Sequence, residues 1–254
     1  MRLVVLGGAS AGPNAGQGCS GYLVEEGDTR VVLDLGPGTL LELRRHTDFR
    51  TLDAVVLTHL HIDHMADVIA LCWALAHNPV RPPGMMPLWL PPGGSAMFAA
   101  LAEVFQTHSD AGDAFERAFT AREYDPDAPL SIGSLTLTFT PTKHYLPCWA
   151  TRVSGPTGRD LIYSGDAGPD SGLEQFAADA YMLVAESMLV ERTNGQYGGS
   201  TAAEAAQVAV DAGVEVLVIT HLWEERGIER YRAQAAAVFT RRLKVAHPGL
   251  TIAW

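Results

Sequence analysis

The chain has 254 residues, 47% hydrophobic and 19% charged. That composition suits one large α/β domain spanning 1–254 and excludes a disordered or membrane-embedded chain. The formal charge is −11, and the basic residues are scattered. This disfavours an extended polyanion such as tRNA as a partner, though not a small phosphodiester, because a bound cation can reverse the local field.

The elements follow from pattern. Leu3–Leu6 reads as a strand, and Gly7–Gly18 as a loop of small and polar residues. That loop has no G-x-x-x-x-G-K-S/T lysine, so a nucleotide-binding P-loop is not expected. Gly21–Glu25 and Arg30–Asp34 read as a hairpin joined at Gly27-Asp28, followed by a short helix over Leu40–Arg45. Asp53–Thr58 is a buried strand, and from His64 to His77 the apolar residues adopt helical spacing. Residues 79–129 are proline-rich and then helical, over Ser95–Gln106 and Ala114–Arg122. They fit either a lid or ordinary connecting helices. Strands are expected at Leu135–Thr140, Ala150–Ser154, Asp160–Ser164, Ala180–Glu186, Glu215–Thr220 and Leu250–Trp254. Helices are expected at Thr201–Ala212, where Thr201 and Glu204 form a capping box, and near Glu229–Val245. Sheet on sheet with helices outside is the natural packing.

No stretch approaches the roughly 20 apolar residues of a bilayer span, and the opening Met1–Leu6 is too short for a secretory signal. The expected location is the cytoplasm. Cys19, Cys72 and Cys148 are far apart with no C-x-x-C pair, so each is expected as a small buried residue.

The chemistry concentrates after the strands. His59, His61, Asp63 and His64 put three imidazoles and a carboxylate into six residues between a hydrophobic strand and a helix. Alternation gives His59, His61 and Asp63 one face, and His64 can turn toward the same space as its helix begins. Imidazole nitrogens and carboxylate oxygens suit Zn²⁺ and tolerate Mn²⁺ or Fe. Three more candidates stand just past hydrophobic strands: His144, Asp166 in Ser164-Gly165-Asp166, and His221 in Thr220-His221. A strand-end His or Asp is more often structural when it occurs alone; recurrence at one sheet edge gives these their weight. His46, His77, His108 and His247 lack that context and are expected to be structural or exposed. Tyr145, Trp149, Tyr197 and Trp223 lie near the motifs and are candidates to wall a pocket.

The series Thr58-His59-Leu60-His61-Ile62-Asp63-His64, His144, Ser164-Gly165-Asp166 and Thr220-His221 resembles the metallo-β-lactamase superfamily over nearly the whole chain. Gly18–Leu23 and Leu33–Gly38 resemble its ribonuclease Z-like branch. The resemblance implies an αββα sandwich of two packed mixed sheets flanked by helices. It implies two divalent metal ions, the first held by His59, His61 and His144, the second by Asp63, His64 and His221, with Asp166 bridging them. A hydroxide between the ions would be the nucleophile. Asp63 would in addition orient that nucleophile or relay its proton.

In that branch, the segments corresponding to Ala185-Glu186-Ser187 and Gly198–Ala202 supply a glutamate and a histidine that protonate the leaving group. Here Glu186 is present, but glycine occupies position 199. Glu186 is therefore either a catalytic residue, as the resemblance implies, or a solvated or hydrogen-bonded carboxylate. With no long insertion after His144, the expected substrate is a small molecule, and the branch resemblance implies a phosphodiester, nucleotide-like in size. An esterase, lactonase or β-lactamase activity is the alternative. A di-iron oxidoreductase lacks its flavin domain here, and a non-catalytic scaffold would have no need of seven competent ligand residues. The oligomeric state is open, a homodimer included.

Overall fold

The computed structural model describes residues 1–105, 114–193 and 195–254. Its first half contributes β1 (Arg2–Gly7), β2 (Gly21–Glu26), β3 (Thr29–Leu35), α1 (Thr39–His46), β4 (Ala54–Val56), α2 (Ile62–Met65) and α3 (Asp67–Ala76). β5 (Met86–Leu90), α4 (Gly94–Val104), α5 (Ala114–Ala118) and β6 (Phe119–Glu123) complete that half. The second half contributes β7 (Leu130–Ile132), β8 (Leu135–Pro141), β9 (Trp149–Ser154), β10 (Leu161–Tyr163), α6 (Leu173–Phe176) and β11 (Met182–Glu186). It ends with α7 (Ala202–Asp211), β12 (Val216–Thr220), α8 (Ile228–Ala236), β13 (Arg242–Val245) and β14 (Thr251–Ala253).

The strands form two seven-stranded sheets, ordered β14-β1-β2-β3-β4-β5-β6 and β13-β12-β11-β10-β9-β8-β7. Each has three antiparallel pairings followed by three parallel ones. Both sheets are therefore mixed, as expected, and the two halves share one plan.

Alternation along β1 shows how the layers hold together. Leu3 and Val5 point into the core between the sheets with Tyr22, Leu33, Tyr163 and Val184. Val4 and Leu6 point the other way, into the layer with Leu43 of α1 and Leu71 of α3. A third cluster seats α7 and α8 on the second sheet through Ala205, Ala209, Leu217 and Tyr231. Central strands buried on both faces read as unbroken apolar runs, which is why Leu3–Leu6 and Val216–Ile219 stand out in the sequence.

Three expectations need correction. The helix proposed for Ala114–Arg122 stops at Ala118, and Phe119–Glu123 pairs with β5 as the sheet edge. The last helix ends at Ala236, and Arg242–Val245 forms parallel edge strand β13. Both edge strands are short and partly polar, so their pattern merges with that of the preceding helix. Helical structure starts within the histidine segment, at Ile62, and breaks between α2 and α3 rather than running unbroken from His64 to His77. The described part of 79–129 supplies β5, β6 and helices that pack on the first sheet, as connecting elements do. Gln106, the end of one expected helix, and His108 lie outside the described residues. Among the described residues no helix is long and apolar enough to cross a membrane.

Candidate metal centre

The site lies where the parallel strands of both sheets end. β4 runs through Leu57 and Thr58 into His59, β10 delivers Asp166, and β12 delivers His221. β8 leads to His144 through the 142–148 connection. Strand ends are rigid, and their following turns can aim side chains into a common space. Two of those turns need unusual backbone. Gly165 has φ +57°, and a Cβ there would fall 2.9 Å from Cys148 Sγ and 3.1 Å from Thr58 Cβ. His221 itself sits at φ +62°, a conformation costly for a residue with a side chain and commonest where function demands it.

The seven residues singled out in the sequence converge as two groups of four that share Asp166. In the first group His61 Nδ1 lies 3.1 Å from His59 Nε2 and 3.0 Å from His144 Nε2. Asp166 Oδ2 is 3.7 Å from His59 Nε2 and 3.6 Å from His144 Nε2. In the second, Asp63 Oδ2 is 3.0 Å from His221 Nε2 and 3.4 Å from His64 Nε2. Asp166 Oδ1 is 3.2 Å from His64 Nε2 and 3.6 Å from His221 Nε2. One carboxylate thus turns one oxygen to each group.

The outer ring nitrogens say what the inner ones present. His64 Nδ1–H donates to Asp34 Oδ2 at 2.7 Å, and His144 Nδ1–H donates to the Gly198 carbonyl at 2.5 Å. Thr58 Oγ1 donates to Asp34 Oδ2, so it is left to accept from His59 Nδ1 at 3.1 Å. His221 Nδ1 faces Ser10 Oγ at 3.3 Å. With their Nδ1–H groups committed outward, His59, His64 and His144 aim Nε2 lone pairs at one another and at Asp166. Burial, reinforced by neighbouring imidazoles, pushes the His59 and His61 rings below their ordinary pKa and keeps those lone pairs free. His61 Nδ1 stands 3.0 Å from His144 Nε2, and His64 Nε2 stands 3.4 Å from His221 Nε2, so the metal-competent nitrogens gather around common points. Asp166 Oδ1 is buried and accepts no hydrogen bond. A buried, unpaired carboxylate oxygen is costly, and a divalent ion would relieve the cost. The donor set therefore fits two metal ions.

A profile of the family described as "Beta-lactamase superfamily domain" matches residues 29–222. The chain belongs to the metallo-β-lactamase superfamily. Among its relatives in the superfamily, the probable metallo-hydrolase YhfI of Bacillus subtilis is 30% identical over 252 residues, covering 98% of each chain. The crystal structure of YhfI superposes with a TM-score of 0.87 at 26% identity, over 99% of both chains. A ribonuclease Z of Bradyrhizobium diazoefficiens is 30% identical over 290 residues, 94% of this chain and 95% of that one. A diphosphatase of the PhnP family shares the superfamily fold with a TM-score of 0.75 at 17% identity, covering 100% of this chain and 97% of that one.

The remaining residues sort by contact. Glu186 is 2% exposed and stands behind His221, its Oε1 3.9 Å from Nδ1. It accepts from the backbone N–H groups of Ser200 at 2.7 Å and Met188 at 3.4 Å. Burial first and the Asp166 charge second push its carboxyl well above the usual range. Position 199 adjoins it, and a Cβ there would come within 2.8 Å of Oε1. Tyr145 and Tyr197 stand half-exposed at the rim, and Trp223 lines a neighbouring cavity of about 400 Å³. Trp149 packs against the core between the sheets. His46 pairs with Glu42, and His77 packs on Trp73.

Sequence reasoning gave no role to Asp34, Ser10, Thr58, Tyr163 or the Gly198 carbonyl. Asp34 has φ +56° and is fully buried, accepting from Thr58 N–H, Thr58 Oγ1–H, Tyr163 O–H and His64 Nδ1–H. Its only signal was a carboxylate at the end of an otherwise apolar strand before Gly36-Pro37-Gly38.

Proposed function

We propose that the chain is a hydrolase that binds two divalent cations, Zn²⁺ foremost, and cleaves phosphodiesters of small or nucleotide-like size. The observation that carries the reading is Asp166, a buried carboxylate shared by two groups of potential ligands, with one oxygen that accepts no hydrogen bond. His59, His61, His144 and Asp166 would hold one ion; Asp63, His64, Asp166 and His221 would hold the other. Bound there, the pair would supply Lewis acidity and a water whose pKa is brought near neutrality.

The chain's own residues do the rest. Asp34 and the Gly198 carbonyl fix the His64 and His144 tautomers, so the ligands are set before substrate arrives. Asp63, held ionised by His221 and His64 against the penalty of its burial, accepts a hydrogen bond from the attacking water and aligns it. Near-normal turnover in Asp63→Asn at full metal occupancy would remove that role. Glu186 reaches the site only through His221 and acts as a positioning residue rather than as the leaving group's acid.

The phosphodiester assignment is supported by the relative named ribonuclease Z, and the small size by the short 142–148 connection, which leaves no arm for gripping a large RNA. It predicts that metal-replete protein hydrolyses an aryl phosphodiester faster than the matching aryl carboxylic ester. His61→Ala serves as the blank. Turnover of the carboxylic ester alone would replace this reading with an esterase.

A further inference from the structure

The ligand cluster is buried and ionic, yet the segments that carry it present aromatic side chains outward. Tyr145 directly follows His144, and Tyr197 precedes Gly198, whose carbonyl holds the His144 ring. The two tyrosine rings meet at 4.9 Å between centroids with a 57° tilt, and Tyr145 stands edge-on to His144 at 5.3 Å. Tyr145 is 49% and Tyr197 57% exposed, and Leu146 beside them is 38% exposed. Among the described residues neither tyrosine hydroxyl makes a hydrogen bond, so the pair serves no internal network.

Glycines pin the pair in place. A Cβ at Gly198 would come within 2.5 Å of the Tyr145 ring, and one at Gly168 within 1.6 Å of the Tyr197 carbonyl oxygen. Backbone approach this close fixes the Tyr145 ring and the Tyr197 main chain beside the His144 loop while leaving ring surface in water. Three side chains are far too few for a protein partner, which needs on the order of 800 Å² per side. They match one flat ring.

We propose that Tyr145 and Tyr197 form a stacking platform for a nucleobase-sized aromatic ring of the substrate, making the preferred substrate a nucleotide ester rather than an alkyl one. This rests on the hydrolytic reading for the reacting end of the molecule. A ring lodged on Tyr145 stands one residue from a metal-ligating histidine, so the phosphate attached to it can reach the cluster. The tyrosine hydroxyls take no part; the flat faces do.

The test is calorimetric binding of adenosine 5′-monophosphate and ribose 5-phosphate to the metal-loaded protein. The two probes share a phosphate and differ by the base. The wild type is expected to prefer the nucleotide by about 5- to 100-fold, the range that stacking of one base confers. Tyr145→Ala and Tyr197→Ala should together bring the ratio to within about twofold of unity, and Tyr145→Phe with Tyr197→Phe should retain it. Equal or absent binding of both probes by the wild type, or a ratio that survives the alanine pair, overturns the platform. Hydrolysis of aryl phosphodiesters, measured separately, reports on the catalytic reading. A preserved nucleotide preference without hydrolysis would sink that reading and leave the platform standing.

Discussion

Asp34 touches no substrate in this account, yet four donors converge on its carboxylate, and one of them sets the direction of His64. Outer partners of metal-ligating histidines typically carry a 10- to 100-fold effect on metal affinity or activity. Asp34→Asn tolerates the positive φ but replaces one acceptor oxygen with a donor. It is expected to weaken metal retention by roughly 10- to 100-fold in a chelator competition, with the fold intact by circular dichroism. Gly165 makes the complementary case for backbone. Adding a Cβ at φ +57° costs about 1–2 kcal/mol in conformation alone, and the crowding against Cys148 and Thr58 adds about 1–3 kcal/mol. Gly165→Ala should therefore lower unfolding stability in urea by about 2–5 kcal/mol. A loss below about 1 kcal/mol would show that the turn relaxes freely. The converging histidines and aspartates stood out in the sequence because imidazoles and carboxylates after hydrophobic strands are chemically conspicuous. Their outer partners did not, because a serine, a threonine and a backbone carbonyl carry no signal until the fold brings them to a ring nitrogen.

At the scale of elements, α7 shows how a local signal fixes a boundary. Thr201 Oγ1 accepts from Glu204 N–H at 3.2 Å while Glu204 Oε2 accepts from Thr201 N–H at 2.8 Å, and Arg192 pairs with the same glutamate. Losing such a cap costs about 1 kcal/mol. Thr201→Ala should reduce stability by that amount and leave metal content unchanged, since the cap's hydrogen bonds join Thr201 to Glu204 and to none of the seven converging residues. A loss of metal in this variant would mean that α7 positions the site as well as covering the second sheet. Elements with a cap or a double-sided apolar run were the readable ones: β1, β4, α7 and β12. β5, β7 and α6 were not anticipated, and β6 and β13, read as helix, are edge strands. With one neighbour each and polar residues such as Arg122 and Lys244 among them, they owe their conformation to the adjacent strand and not to their own composition.

Taken whole, the molecule places two similar halves face to face and builds its site at one shared edge. The first half supplies His59, His61, Asp63 and His64, and the second supplies His144, Asp166 and His221. Neither group of four is complete without both halves, which ties metal binding to the packing of the core between the sheets. The sandwich could be anticipated from strand order and recurrence, whereas the sharing of Asp166 between two groups was implied only by resemblance until the side chains were placed. The most direct test of the account is metal stoichiometry, read by elemental analysis after dialysis against Zn²⁺. The account predicts two ions per chain in the wild type and loss of both sites' tight binding in Asp166→Ala. A folded wild-type protein that retains no ion, or an Asp166→Ala variant that still holds two, would contradict it.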